Sequence, residues 1–149
     1  MRLIRINILV LSGLLLLSLQ CSPEPAPEPE PAGPATVQIF MSASGGADCS
    51  AVEPLDREVP SKTPEAVLKA LLDGPTSRET LEGAYSAIDR GTKLLSIKEE
   101  GNLVVADFSS IPDGDSCRAK SIHAQIEKSV SHNFPEKSVK ILSQGKPIK

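Results

Sequence analysis

Hydrophobic and polar residues follow three different patterns along this chain. The first 20 residues hold two arginines and then an apolar run, residues 22–35 are rich in proline and glutamate, and residues 36–149 mix alternating segments with helical periodicity. Alternation with a period of two is typical of half-buried strands, and a period near 3.6 is typical of amphipathic helices. The pattern therefore predicts an apolar leader, a linker and one domain.

Within the domain, the alternating segments predict five strands, at residues 36–42, 50–59, 93–98, 102–108 and 138–142. Pro54 restricts the second strand to an edge or a bulge, because proline has no N–H for a central ladder. One helix begins after Thr63, which can cap it, and ends at Gly74-Pro75. Another follows Ser116 and ends near Asn133, and a short helical turn is expected after Thr76.

The order β, β, α, β, β, α, β predicts an α+β fold. We expect a two-layer sandwich in which two helices cover one face of a mixed, mostly antiparallel sheet of about four to five strands. Each of the two helices has a single apolar stripe, so the opposite face of the sheet is left polar or available to a partner.

The leader has the features of an export signal. Arg2 and Arg5 precede about a dozen apolar residues, fewer than the ~20 that a membrane-spanning helix needs. Cys21 closes this run, and a cysteine in that place is the lipid acceptor of bacterial lipoproteins. We therefore interpret residues 1–20 as a lipoprotein signal peptide and Cys21 as the lipidated residue. Ser18 and Gln20 depart from the usual lipoprotein pattern, so a plain secretory signal and an uncleaved anchor remain alternatives.

Residues 21–35 are interpreted as the lipidated cysteine and a linker. Six prolines and three glutamates between Ser22 and Ala35 favour an extended polyproline II conformation. At about 3.1 Å per residue, such a linker reaches about 40 Å from the membrane. A spacer is the favoured interpretation, and a docking motif for a proline-recognising partner is the alternative.

The charge balance argues against nucleic acid and anionic lipid as electrostatic partners. Without the leader, the chain carries 14 basic and 19 acidic residues. Nucleic-acid binding needs clustered positive charge, and so does electrostatic attachment to anionic lipid, so neither is expected. The membrane contact is expected through the lipid on Cys21 alone.

With Cys21 assigned to lipid, Cys49 and Cys117 remain. An even remainder in an exported chain favours a disulfide between them. Free thiols are one alternative, and a metal site with His123 is another. Close ligand pairs of the CxxC or HxxxH type are missing from the sequence, so no metal and no cofactor are expected.

Three motifs occur in order along the domain. Leu71-Leu72-Asp73-Gly74-Pro75-Thr76 ends the first helix, Val104-Val105-Ala106-Asp107-Phe108-Ser109 ends a hairpin, and Gly145-Lys146-Pro147 closes the chain. They resemble the GerMN domain, a family named for the GerM lipoprotein of spore formation and germination, over residues 36–149. The resemblance implies a small extracytoplasmic α/β module, often lipid-anchored, of the kind that assembles envelope complexes. It implies no enzymatic reaction and supplies no active site.

The residues themselves point away from catalysis. His123 and His132 lack a GxSxG or HExxH context, and Asp107 and Asp115 are expected at a strand end and a helix start rather than as a catalytic carboxylate pair. Arg57 is the candidate for a partner contact, with a salt bridge on the strand face as the alternative.

We therefore expect an exported, lipid-anchored envelope protein, held at the outer membrane in a cell that has one. Its single GerMN-like domain is expected to be a non-catalytic interaction or assembly module that binds an envelope protein or a second copy. The alternative is a module that binds cell-wall glycan or a small ligand.

Overall fold

The structure, a computed structural model, describes residues 33–43 and 48–148. The leader, Cys21 and most of the linker lie outside the described residues. The elements in chain order are β1 Ala35–Ala43, β2 Val52–Val59, α1 Pro64–Leu72, α2 Ser77–Leu81, β3 Ala84–Tyr85, β4 Leu94–Glu100, β5 Leu103–Phe108, α3 Cys117–Asn133, β6 Ser138–Ser143 and β7 Lys146–Pro147.

The strands form two sheets. The first has the antiparallel order β2-β1-β3, and the second has the order β4-β5-β6-β7. In the second sheet, β5 and β6 are parallel and are joined through α3, whereas the outer pairs are antiparallel. A parallel pair needs such a crossover, because its strands must run in the same direction.

Helix boundaries follow the predicted capping residues. The Thr63 hydroxyl accepts a hydrogen bond from the Ala66 N–H at 3.2 Å, and Pro64 is the first residue of α1. After α1, Gly74 has a φ of +76°, a conformation that glycine adopts without steric cost. Ser116 caps α3 through the Ala119 N–H at 3.1 Å, so this role belongs to Ser116 rather than to Asp115.

One hydrophobic core joins both sheets to α1 and α3. The apolar stripe predicted for α3 is buried, with Ile122, Ile126 and Val130 fully inaccessible. The other fully buried contributors are Ile39 of β1, Val67, Leu68 and Leu71 of α1, and Val104, Ala106 and Phe108 of β5.

The α+β class, the two long helices and the five long strands are confirmed. The strands lie in two sheets rather than in a single sheet, because α3 occupies most of the edge of β1 that faces away from β2, where β3 pairs only with Ser42 and Ala43. The Phe40 N–H, for example, donates to the Ser129 hydroxyl of α3 at 2.8 Å. The two-residue strands β3 and β7 are too short for sequence alternation to indicate them.

Pro54 lies in β2, at the edge of its sheet, as predicted. It is opposite Phe40 in the register. Because the Phe40 N–H points to α3 and not to β2, this position of the ladder does not use an N–H from residue 54.

Candidate functional site

A row of four polar residues runs along α3 at four-residue spacing: Ser121, Gln125, Ser129 and Asn133. Residues four apart lie on one side of a helix, and this side faces the edge of β1. The Asn133 amide accepts from the Gln38 N–H at 3.2 Å and donates to the Gln38 carbonyl at 2.6 Å. The polar row thus replaces a neighbouring strand and satisfies the backbone of β1.

Gln125, fully buried, extends this support to the segment after β3. With its amide oxygen turned toward the backbone, Gln125 accepts from the N–H groups of Ser42 at 3.2 Å and Ala87 at 3.1 Å. The hydroxyls of Ser42 and Ser121 lie 2.6 Å apart beside it. The chain that leaves β3 is therefore tied to both β1 and α3.

Arg118 holds the same segment from the start of α3. Its Nε donates to the Ala87 carbonyl at 3.1 Å, and its guanidinium forms a 2.6 Å ion pair with Asp89. Together with Gln125, this contact fixes the backbone between Tyr85 and Asp89 at several points.

Two adjoining concavities lie on either side of this fixed segment. Their volumes are about 660 Å³ and about 570 Å³. Both are lined by Tyr85, Ser86, Ile88 and Arg90, and we call the combined surface the Tyr85 groove. Cavities of this size are in the range of ligand and peptide sites.

Two exposed large apolar side chains belong to this region: Tyr85 lines the groove, and Leu81 directly follows Thr80 of its lining in the sequence. Leu81, the last residue of α2, is 90% exposed, and Tyr85 is 46% exposed. Arg90 and Lys93 line the larger concavity, and both are exposed. The groove therefore presents an aromatic ring together with two cations.

The structure joins Cys49 to Cys117 in a disulfide, the pairing that the sequence favours. It connects the chain before β2 to the first residue of α3, across a sequence separation of 68 residues. Both cysteines line the smaller concavity. The disulfide thus belongs to the wall of the Tyr85 groove.

Arg57 forms a bidentate ion pair inside the domain. Its two terminal nitrogens donate to the Glu79 carboxylate at 2.8 and 2.7 Å. The side chains are 17% and 18% exposed. The Arg57 hydrogen bonds lower the pKa of Glu79 to about 2. Arg57 does not line the groove, and its role as a partner contact stays a prediction.

Glu79 also helps to cap the start of α2. It accepts from the Thr76 N–H at 2.7 Å, while the Thr76 hydroxyl accepts from the Glu79 N–H at 3.3 Å, which completes a capping box. The Arg57–Glu79 pair therefore links β2 to the short helix that carries Leu81.

The other candidate residues are separate from one another. His132 packs against the Phe40 ring with a centroid distance of 5.2 Å. The His123 Nε2 is buried without a hydrogen-bond partner among the described residues. The Asp107 carboxylate accepts from the Gly145 N–H at 2.9 Å, and Asp115 is exposed ahead of α3. These contacts bring no nucleophile and base together.

Residues 33–43 and 48–148 contain neither a metal-ligand cluster nor a membrane-spanning helix. In these ranges, no three acidic, histidine or cysteine side chains are grouped so that they could hold a metal ion. None of the helices in the described part of the chain has the length and apolar character needed to cross a membrane.

Comparison with known proteins identifies the family. The family model described as "Germane: Sporulation and spore germination" matches residues 39–149. The chain belongs to this family. The match covers both sheets and all three helices, so the similarity to the GerMN domain seen in the sequence is confirmed.

Solved structures share the fold at low sequence identity. The tandem GerMN domains of the sporulation protein GerM from Bacillus subtilis align over 85% of this chain at 15% identity, with a TM-score of 0.55. The alignment spans 48% of that protein, about half its length. A Clostridium perfringens protein, described as a proposed lipoprotein, aligns over 76% of this chain and 77% of its own at 16% identity, with a TM-score of 0.49. No curated protein matches the chain.

No local sequence signal indicates the groove as a whole, and the reason differs from residue to residue. Tyr85 lies in a strand of two residues, so no local pattern indicates its exposure. The polar row of α3 was detectable, because Ser121, Gln125, Ser129 and Asn133 recur every four residues. The Thr76-x-x-Glu79 spacing was likewise a detectable capping-box signature.

Proposed function

We propose that this protein is a lipid-anchored, extracytoplasmic module that binds another protein of the cell envelope and catalyses no reaction. The lipid on Cys21 and the proline-glutamate linker hold the domain at the membrane and away from its surface. Membership of a sporulation and spore-germination family supports an envelope role.

The observation that carries the proposal is that the main polar contacts of the domain hold its own elements together, whereas the Tyr85 groove is exposed. The Arg57–Glu79 pair and the polar row of α3 are engaged in holding elements together. What the Tyr85 groove offers to a partner is an exposed ring, a neighbouring leucine and two cations. Tyrosine and arginine are enriched in the central contacts of protein interfaces.

Arg57 enters this proposal indirectly. By binding Glu79 and the Gly74 carbonyl, the latter at 3.3 Å, it holds α2 against β2, and α2 carries both Thr80 of the groove lining and the exposed Leu81. We propose Arg57 as a positioning residue for partner binding.

Chemical cross-linking of the anchored, full-length protein in its own cells, followed by purification under denaturing conditions, tests the proposal. We expect a defined envelope protein in the cross-linked product. Recovery of cell-wall fragments without a protein would contradict the proposal and favour the alternative, a glycan-binding module.

A further inference from the structure

We propose that the Tyr85 groove binds an acidic, extended segment of the partner protein. The inference rests on the proposed function and adds the surface and the chemistry of the partner.

The charges of the groove favour an acidic occupant. Arg90 and Lys93 face the larger concavity, where Asp73 is the single carboxylate among the lining residues. Within the described residues, neither cation has an ion-pair partner. Five other cations are paired in the domain: Arg57, Lys69, Arg78, Arg118 and Lys137.

The neighbouring carboxylates do not neutralise these two cations. Asp89 lines the smaller concavity, but it is paired with Arg118 at 2.6 Å. Asp48 lines only the smaller concavity, where it accepts hydrogen bonds from the N–H and the hydroxyl of Ser50, and it has no ion pair with either cation among the described residues. Arg90 and Lys93 are thus left for a carboxylate of a partner.

The shape of the groove favours an extended occupant. The two concavities share Tyr85 and Ile88 in their linings, so a segment that crosses these residues can contact both concavities. Extended and proline-containing segments dock on aromatic side chains, because they lose little conformational entropy on binding. The exposed Tyr85 ring is suited to that contact, and Lys93, which lines only the larger concavity, gives the segment a direction.

The groove is also held in its shape before a partner arrives. Gln125 and Arg118 bind the backbone beneath it, and the Cys49–Cys117 disulfide closes its far wall. A pre-organised site loses less free energy of ordering when it binds. We therefore expect the free domain to bind short segments without a change of fold.

Tyrosine fluorescence of the full-length, lipidated protein in detergent micelles tests the inference. The chain has one tyrosine and no tryptophan, so its emission reports on Tyr85 alone. The probe is a ten-residue peptide of alternating glutamate and proline, and the uncharged control replaces each glutamate by glutamine. We expect a saturable change with the Glu-Pro peptide, which weakens as salt is raised, and a much weaker one with the Gln-Pro peptide.

The double variant R90Q/K93Q removes the two cations of the groove that have no ion-pair partner among the described residues. We expect it to bind the Glu-Pro peptide roughly 2- to 30-fold more weakly, the range that two exposed ion pairs give. The matched control is K140Q/K146Q, which removes the same charge from exposed positions of β6 and β7 that do not line the groove. For this control we expect less than about a twofold change.

Three results would overturn the inference: equal affinity for both peptides, an equal loss in the control variant, or no saturable change. A change of Tyr85 emission with a soluble cell-wall glycan fragment but not with the Glu-Pro peptide would overturn it in favour of a glycan ligand. The proposed function is tested by a separate experiment, the cross-linking in cells. If R90Q/K93Q cross-links the same partner in cells with undiminished yield, the partner binds elsewhere and only the groove assignment is wrong.

Discussion

At the scale of single residues, the most specific contact in this domain is the ion pair between Arg57 and Glu79. The folded pKa of Glu79, about 2, lies below its ordinary value of 4.5. The ionised carboxylate therefore stabilises the fold at every pH above about 4.5, and this contribution is lost as the pH falls from 4.5 through 2. The Arg57 hydrogen bonds are the main cause of the shift.

The variant Glu79→Gln tests this contact. We expect its free energy of unfolding at neutral pH to be lower by about 2 kcal/mol, a value reduced for the partial exposure of the pair. We also expect a flatter pH dependence between pH 4.5 and 2, since the pKa-shifted group is gone. Urea unfolding at several pH values measures both effects.

Glu65→Gln is the matched control, because it removes the exposed i,i+4 pair with Lys69. It is expected to cost less than about 1 kcal/mol. Equal costs for Glu65→Gln and Glu79→Gln would contradict a special role of the Arg57–Glu79 pair.

A second residue-scale prediction concerns Ser129. Replacing this serine by alanine leaves the buried N–H of Phe40 without its acceptor, which costs roughly 1–3 kcal/mol. Ser131→Ala, on the same helix, is the control, because Ser131 makes no contact of this kind with β1. Both variants gain the same helix propensity, so the difference between them isolates the hydrogen bond. Similar unfolding free energies for the two variants would show that the polar row does not support β1.

At the scale of elements, the sequence predicts the helices and the long strands well. The stripe of Ala119, Ile122, Ile126 and Val130 indicates α3, and the Thr63-Pro64 start and Gly74 end indicate α1. These signals are local, so they are readable without the fold. The division into two sheets is not local: it depends on polar side chains of α3 that meet β1 across more than 80 residues of chain.

The contacts of the candidate site are likewise not predictable from local sequence patterns. Arg57 and Glu79 are 22 residues apart, and only the packing of α2 against β2 brings them together. The sequence did favour the Cys49–Cys117 pairing, because a count of cysteines requires no geometry. Tyr85, Arg90 and Lys93 became a candidate site only when the fold showed that they share one groove.

Counting thiols tests the disulfide together with the lipid on Cys21. In the chain-entropy model, a disulfide that closes a loop of this length stabilises the fold by about 4 kcal/mol. In the mature protein, unfolded without a reductant, we expect no free thiol; after reduction we expect two. Two thiols before reduction would contradict the disulfide, and one would contradict the lipidation of Cys21.

At the scale of the whole molecule, we propose a tethered domain that presents one binding surface to another protein of the envelope. We propose that the leader and linker place it outside the membrane, and that a partner binds the Tyr85 groove, whose shape the two sheets and α3 maintain. The groove is lined by residues of one domain, so the proposed binding does not require a second copy to complete it.

The most direct test replaces Tyr85 by a photo-cross-linking amino acid in the full-length, anchored protein in its own cells. Lys140, on β6 and outside the groove, is the control position. The account predicts a defined protein adduct from position 85 and none from position 140. Adducts with glycan alone, or a protein adduct from position 140 but not from position 85, would contradict it.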